Sequence, residues 1–227
     1  MRTPSNAFTR IVLTGATGMV GEGVLHECLQ DNRIAAVLVI GRRTCGYTHP
    51  KLKEIIHADF TNLAPIEDQL VGYNACLFCS GVSSVGMKEA EFYKLTYTLT
   101  LAFAQTLVQL NPAMVFCYIS GSHTDSTEKG KRMWARVKGK TENDLMKLPF
   151  RSVYNFRPGV MKPTKGLKNT LGFYKWFGWL LPVIKLFASS YICTLQQLGM
   201  AMINAAYKDY GRNILEVKDI ISLSRDN

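Results

Sequence analysis

The 227-residue chain lacks the features that would set it apart from an ordinary globular enzyme. No apolar run reaches the roughly 20 residues needed to cross a bilayer. Nothing apolar precedes the first strand-like run, so no secretory signal is expected. The six cysteines are scattered instead of spaced as a scaffold, which leads to an expectation of reduced thiols in a cytoplasmic, that is cytosolic, compartment. The four histidines are isolated. Cys76-x-x-Cys79 has no second pair at zinc spacing, and residues three apart in a strand point to opposite faces. These are expected to be small buried residues, with no metal site. Bases outnumber acids by 27 to 17, giving a formal charge of +10, yet no five or six of them run together. That pattern argues against nucleic acid as a partner and for a small polyanionic ligand. No repeat, linker or break in composition marks a second domain, so a single domain over residues 1–227 is expected, with about 160–227 forming a substrate or lid region. A hydrophobic share of 47% against 19% charged residues supplies its core.

What is present is an alternation of short apolar runs with helical patterns, the signature of a parallel sheet with crossover helices. Strands are expected at Arg10–Thr14, Ala36–Ile40, Glu54–His57, Ala75–Cys79, Met114–Ser120 and Ser152–Arg157. Helices are expected at Met19–Gln30, Asn62–Leu70, Lys88–Leu110 and Lys131–Leu148. Beyond Pro158 the alternation stops. An aromatic stretch (Gly166–Phe187), an amphipathic helix (Thr194–Asp209) and a short strand with a terminal helix (Asn213–Leu223) follow.

The first strand runs into Thr14-Gly15-Ala16-Thr17-Gly18-Met19-Val20-Gly21 and then directly into a helix. Gly15 permits the tight turn, Gly18 lets backbone amides approach a pyrophosphate, and Gly21 lets helix and strand pack closely. The anion then lies on the helix N-terminus, where unpaired donors favour negative charge. The next strand ends Gly41-Arg42-Arg43 with no Asp or Glu. Arginines there suit a ribose 2′-phosphate, whereas a carboxylate would suit a free 2′-hydroxyl, so NADP(H) is the expected cofactor.

These motifs continue in order with AlaAspPhe at 58–60, IleSerGlySer at 119–122, TrpAlaArgValLysGlyLys at 134–140 and PheArgProGlyVal at 156–160. In this series the chain resembles the short-chain dehydrogenase/reductase superfamily, in its atypical or extended epimerase/dehydratase-like branch. Within that branch it is similar to the Tat-interacting-protein oxidoreductase-like group. The resemblance spans about residues 10–160 and, more loosely, the helix near Thr194–Asn204. It implies an α/β fold, a three-layer Rossmann fold with a doubly wound, mostly parallel sheet and a small C-terminal substrate-binding part. It further implies that Asp59 and Phe60 flank the adenine and that Ser80 and Gly81 line the channel for the cofactor's ribose and pyrophosphate. Ser122 would be the hydroxyl beside a reacting carbonyl and Lys138 would bond the nicotinamide ribose. Pro158 and Gly159 would sit near the nicotinamide.

One departure concerns the chemistry. The family places a tyrosine four residues before the lysine, where one helical turn stacks phenol on ammonium and lowers the phenol pKa. Here that position is Trp134, whose indole donates a hydrogen bond but yields no proton at accessible pH. Helical spacing puts Trp134, Val137, Thr141, Leu145 and Leu148 on one core-facing stripe, with Arg132, Arg136 and Lys140 solvated opposite. Trp134 then reads either as a core aromatic or as a surface for stacking substrate. Lys138 lies beside the stripe, where a lysine needs a partner. Ser122, His123, Tyr97 and Tyr174 are alternative proton donors by position in the resemblance. Tyr47 and Lys51 share the spacing in a loop containing Pro50, and are taken as coincidence.

The run Phe173–Phe187 is apolar between Lys175 and Lys185 apart from Gly178. A hydrophobic substrate lid is favoured for it, over an oligomer contact or an interfacial membrane anchor. The expectation is a reductase-like protein acting on a small apolar carbonyl or enone, with a homo-oligomer possible. The alternative is a catalytically silent NADPH-sensing regulator.

Overall fold

The computed structural model describes residues 9–169 and 192–225; Tyr174 and the run Phe173–Phe187 lie outside them. Seven parallel strands form the main sheet: β1 (Thr9–Thr14), β2 (Ile34–Gly41), β3 (Leu52–Ile56), β4 (Ala75–Phe78), β5 (Val115–Ile119), β6 (Ser152–Arg157) and β9 (Ile214–Glu216). Their spatial order is β3-β2-β1-β4-β5-β6-β9. The chain winds outward from β1 to β3, returns to β4 beside β1, and winds outward the other way. A crevice opens where the direction reverses, beyond the carboxyl ends of β1 and β4.

Two cores cover the two faces, as the strand alternation dictates. Ile11 and Leu13 of β1 pack with α1 (Met19–Gln30), α5 (Leu195–Tyr207) and α6 (Val217–Leu223). Val12 faces the opposite side, where Phe103 and Leu107 of α3 (Leu99–Leu110) and Leu145 of α4 (Met133–Leu145) pack over Phe78 and Phe116. The three-layer arrangement is the expected α/β fold.

Several elements differ from the sequence reading. Asn62–Leu70 holds only a 3₁₀ turn at Ala64–Gln69, because Pro65 lies in its first turn and Ile66 is its one buried residue. The long helix after β4 is three continuous pieces, α2 (Glu89–Tyr93), a π-helical turn (Lys94–Thr98) and α3. A further parallel pair, β7 (Val160–Lys162) and β8 (Ile192–Thr194), stands apart from the main sheet and was not anticipated. The expected helix from Thr194 is α5, held at its start by a reciprocal capping box between Thr194 and Gln197. No helix among the described residues is long and apolar enough to cross a membrane.

Candidate functional site

Gly15 leaves β1 with φ +74°, and a Cβ there would lie 2.6 Å from the Cys79 carbonyl just beyond β4. The constraint is therefore double, a left-handed backbone and a neighbouring strand end at contact distance. The same two strand ends are tied by the Ser80 amide, which donates to Thr14 Oγ1 at 3.1 Å. A Cβ at Gly21 would fall 2.1 Å from the Gly15 carbonyl oxygen, so α1 meets the turn with no room for a side chain. Gly18 caps α1 with no side-chain hydrogen bond, so amides of its first turn face the crevice without an acceptor among the described residues.

The crevice is a cleft of about 600 Å³. Gly15, Ala16, Thr17 and Gly18 form one wall, Cys79, Ser80, Gly81 and Val82 another, and Gly41, Arg42 and Arg43 the end beyond β2. Phe60 and Ala58 line it too, with Leu95 and Leu99 reaching in from the helical run. Neither guanidinium has a hydrogen-bond or ion-pair partner among the described residues, and both residues are exposed. Among the described residues, no carboxylate lines the cleft.

Of the expected nucleotide-contacting residues, the structure thus gathers Gly15, Thr17, Gly18, Arg42, Arg43, Phe60, Ser80 and Gly81 around one space. Met19 and Val20 begin α1 behind it, contributing helix backbone. Asp59 is not in the lining. It is exposed and its carboxylate accepts from the Thr61 hydroxyl at 2.6 Å and amide at 2.9 Å, bonds that hold its pKa below the usual value. It serves the local turn, and Phe60 alone of that pair reaches the cleft. Cys79 corrects the reading of the Cys-x-x-Cys pair, since it is only partly buried and lines the cleft while Cys76 is fully buried on the other face. Leu95 and Leu99 went unnoticed because i, i+4 leucines on a helix read as core.

Lys138, Ser122 and Pro158 are drawn together at the neighbouring ends of β5 and β6, outside the lining of that cleft. The Lys138 ammonium donates to the Ser120 carbonyl at 2.7 Å. Burial lowers its pKa to about 8, against the opposing pull of Glu142. The Ser122 amide donates to the Pro158 carbonyl at 3.1 Å, and its hydroxyl is 3.3 Å from the Arg157 carbonyl, while Gly159 follows at the mouth. Beneath them lies a network that the sequence reading missed. Glu142 is 0% exposed, accepts from the Ser120 hydroxyl, and pairs through both oxygens with Arg157, whose guanidinium also reaches Ser126 Oγ at 2.6 Å. The available signal was Glu142 one turn after Lys138 together with the arginine of PheArgProGly.

Trp134 is only half-buried, and the buried positions of α4 are Ala135, Val137, Gly139, Thr141, Glu142 and Leu145. The helix begins beyond the carboxyl edge of the sheet, so its first turn has no sheet to pack on; the core-facing stripe starts a residue later than expected, and Leu148 lies past the helix end. Of the three bases expected in solvent, Arg132 is exposed, whereas Arg136 pairs with Glu89 at 2.7 Å and Lys140 with Asp144 at 2.9 Å. Tyr97 is withdrawn as a proton donor. Its hydroxyl donates to Asp144, and burial with that carboxylate pushes its pKa well up. Tyr47 and Lys51 serve different partners, Glu22 and the Asp31 carbonyl. Among the described residues, no cluster of three metal-ligating side chains occurs.

Comparison with known proteins places this geometry. Residues 11–136, more than half the chain, match the model of the NAD dependent epimerase/dehydratase family. The chain is 26% identical over 230 residues to Protein FMP52, mitochondrial, of Chaetomium globosum, covering 94% of this chain and 96% of that protein. It is 24% identical over 228 residues to Protein HTATIP2 of Rattus norvegicus, covering 96% and 90%. The match to HTATIP2 fits the Tat-interacting-protein branch. The fold is shared with the ADP-L-glycero-D-manno-heptose-6-epimerase of Helicobacter pylori, at TM-score 0.68 and 15% identity over 100% of this chain and 84% of that one. It is shared too with the Bordetella bronchiseptica enzyme WbmG, solved in complex with NAD, at TM-score 0.67 and 12% identity over 99% and 80%. The expectation of a cytosolic protein is overturned here, because FMP52 relatives from several fungi are named as mitochondrial. Scattered cysteines are equally compatible with a mitochondrial setting, so they were no guide to compartment. Sequence, sheet order and crevice agree that the chain belongs to the NAD-dependent epimerase/dehydratase family, an NAD(P)-binding oxidoreductase-like branch of the short-chain dehydrogenase/reductase superfamily.

Proposed function

We propose that this protein is a mitochondrial NADP(H)-dependent oxidoreductase acting on a small apolar carbonyl or enone. The observation that supports the cofactor choice is the composition of the cleft end beyond β2, where two guanidinium groups lie with no partner and no carboxylate among the described residues. A 2′-phosphate placed there gains bidentate, charge-assisted partners, whereas a free 2′-hydroxyl finds no carboxylate to accept its hydrogen bond. The residues present fit a dinucleotide: the turn at Gly15 and Gly21 leaves backbone where side chains would block the approach, and the uncapped start of α1 offers amides to the pyrophosphate. A nicotinamide bound at the far end would supply or accept hydride.

The chain's own part in the chemistry follows from the ends of β5 and β6. Ser122 donates its hydroxyl to the substrate oxygen and polarises the carbonyl. Lys138 holds the nicotinamide ribose, and with a pKa of about 8 it is able to release a proton near neutrality. Trp134 contributes a flat apolar surface and no acid. This substitution is also what favours the second reading, a catalytically silent NADPH-sensing protein. Calorimetric titration of the purified chain tests the cofactor assignment: binding of NADPH at least about tenfold tighter than NADH is expected, and equal affinity or no heat with either overturns it. Trp134→Tyr separates the two readings. A rise in NADPH oxidation with a panel of aromatic aldehydes and enones supports an intact reductase site, and no rise supports the silent one.

A further inference from the structure

Glu22 lies in the first turns of α1, one residue after the last glycine of the phosphate turn, and it is 1% exposed. A buried carboxylate beside an anion site is costly unless donors absorb its charge. Here they do. The Lys168 amide donates to one oxygen and the Asn169 amide to the other, each at 2.7 Å, and the Tyr47 hydroxyl donates to the first. Burial alone would raise the Glu22 pKa, but the Tyr47 and backbone bonds outweigh it and keep the group below its usual value, hence ionised at neutral pH. The junction is closed from outside by Lys168, whose ammonium donates to the Gly46 carbonyl at 3.0 Å and sits 4.6 Å from the centre of the Tyr47 ring.

Tyr47 belongs to the segment that carries Arg42 and Arg43. A second carboxylate fixes the same segment nearer its middle: Glu54 on β3 accepts from the Cys45 amide at 2.7 Å and the Thr44 hydroxyl at 2.9 Å. The two arginines therefore hang between the end of β2 and a pair of carboxylate anchors, only one of which belongs to the phosphate-binding helix. We propose that Glu22 and Tyr47 are positioning residues for cofactor choice, holding the Arg42–Arg43 segment in register with the glycine turn so that both ends of a 2′-phosphorylated adenosine nucleotide are met together. This rests on the NADP(H) reading above and adds to it the residues that make the arginines effective. Neither residue touches the nucleotide; each acts through the segment it holds.

The test separates the 2′-phosphate from the rest of the ligand. Purified full-length chain is titrated calorimetrically with adenosine 2′,5′-bisphosphate and with AMP, and the ratio of the two affinities is the readout. In Tyr47→Phe and in Glu22→Gln this ratio is expected to fall about tenfold, the scale of a charge-assisted hydrogen bond, while AMP affinity changes by less than about threefold. Arg42→Ala/Arg43→Ala should lower the same ratio and gives the reference. A general loss of structure would weaken both ligands and leave the ratio unmoved. Tyr47→Phe removes one hydroxyl and keeps the ring against Lys168, so it remains informative where Glu22→Gln folds poorly. A ratio unchanged or raised in Tyr47→Phe overturns the positioning role alone. A wild-type ratio near one overturns the NADP(H) reading and the positioning role with it.

Discussion

The two ends of the site are built from different materials. The phosphate end is backbone: a left-handed glycine, a helix start with bare amides, and a strand end in contact with a glycine Cα. The end beyond β5 and β6 is side chain: Lys138, Ser120, Glu142 and Arg157, joined across α4, β5 and β6. Backbone positions are set by what cannot fit, so they fail by steric exclusion. The side-chain end is set by charges that must remain paired away from water, and it fails by leaving one of them alone.

The largest effect should come from breaking that buried pair. Arg157→Met leaves Glu142 fully buried with Ser120 as its one remaining hydrogen-bond donor among the described residues, and removing one member of such a pair costs about 3–5 kcal/mol. Urea denaturation should show this as a lower midpoint at unchanged slope. The double variant Arg157→Met/Glu142→Met should recover much of the loss, because neither charge is then stranded. A double variant no better than the single would mean the network acts through shape, not charge.

Glycine substitutions give the next largest change. Gly21→Ala places a methyl 2.1 Å from the Gly15 carbonyl oxygen, which cannot move without displacing β1, and an overpacking cost of about 1–3 kcal/mol is expected. At Gly18 a Cβ would find its nearest neighbour at an ordinary 3.5 Å. Gly18→Ala should therefore leave the unfolding midpoint nearly unchanged and weaken NADPH selectively. Loss of stability in both variants would erase the distinction between a glycine needed by the fold and one needed by the ligand.

These contrasts explain what was legible in the sequence. The glycine turn could be read because its constraint lies within eight consecutive residues, and Arg42–Arg43 because a strand end fixes their place. The strand alternation likewise marked six strands of the main sheet, with shifts at their ends, and the seventh, β9, falls in the short strand expected within Asn213–Leu223. The Glu142–Arg157 pair joins residues 15 apart on separate elements; the position of Glu142 one turn after Lys138 hints at a partner, but only the fold shows that Arg157 is that partner. Trp134 was misplaced for a geometrical reason. Helical period alone assigns it to the stripe of Val137, but Lys138 already reaches the carbonyl one residue past the end of β5. One turn earlier, about 6 Å along the axis, the helix has left the sheet behind. The pairing of Glu22 with residues 168–169 spans some 146 positions and was equally invisible.

Lys138 also yields a pH signature. Its pKa is lowered from 10.5 to about 8, so between those values the unfolded chain binds a proton that the folded one has lost. Unfolding free energy contributed by this group must then rise as pH increases from about 8 to about 10.5, and be least favourable below 8. Tyrosines and cysteines titrate in the same range, so the measurement is the difference between wild type and Lys138→Met. Wild type should gain on the variant across that window. A flat difference would show that the ammonium is solvated in the folded protein.

The smallest effect is expected from the other ion pairs of the same helix. Asp144 is met by Lys140 at 2.9 Å and by Lys147 at 2.6 Å, distances as short as those around Glu142. Distance alone would rank the two clusters together, yet the Lys147 side chain is 74% exposed and water competes for it at every moment. Lys147→Ala should change the unfolding free energy by less than about 0.5 kcal/mol, and that small change should shrink further in high salt. The Arg157–Glu142 pair, screened by the sheet on one side and α4 on the other, should keep its contribution in the same salt. Burial, and not the length of the contact, then decides which charges on α4 hold the site together.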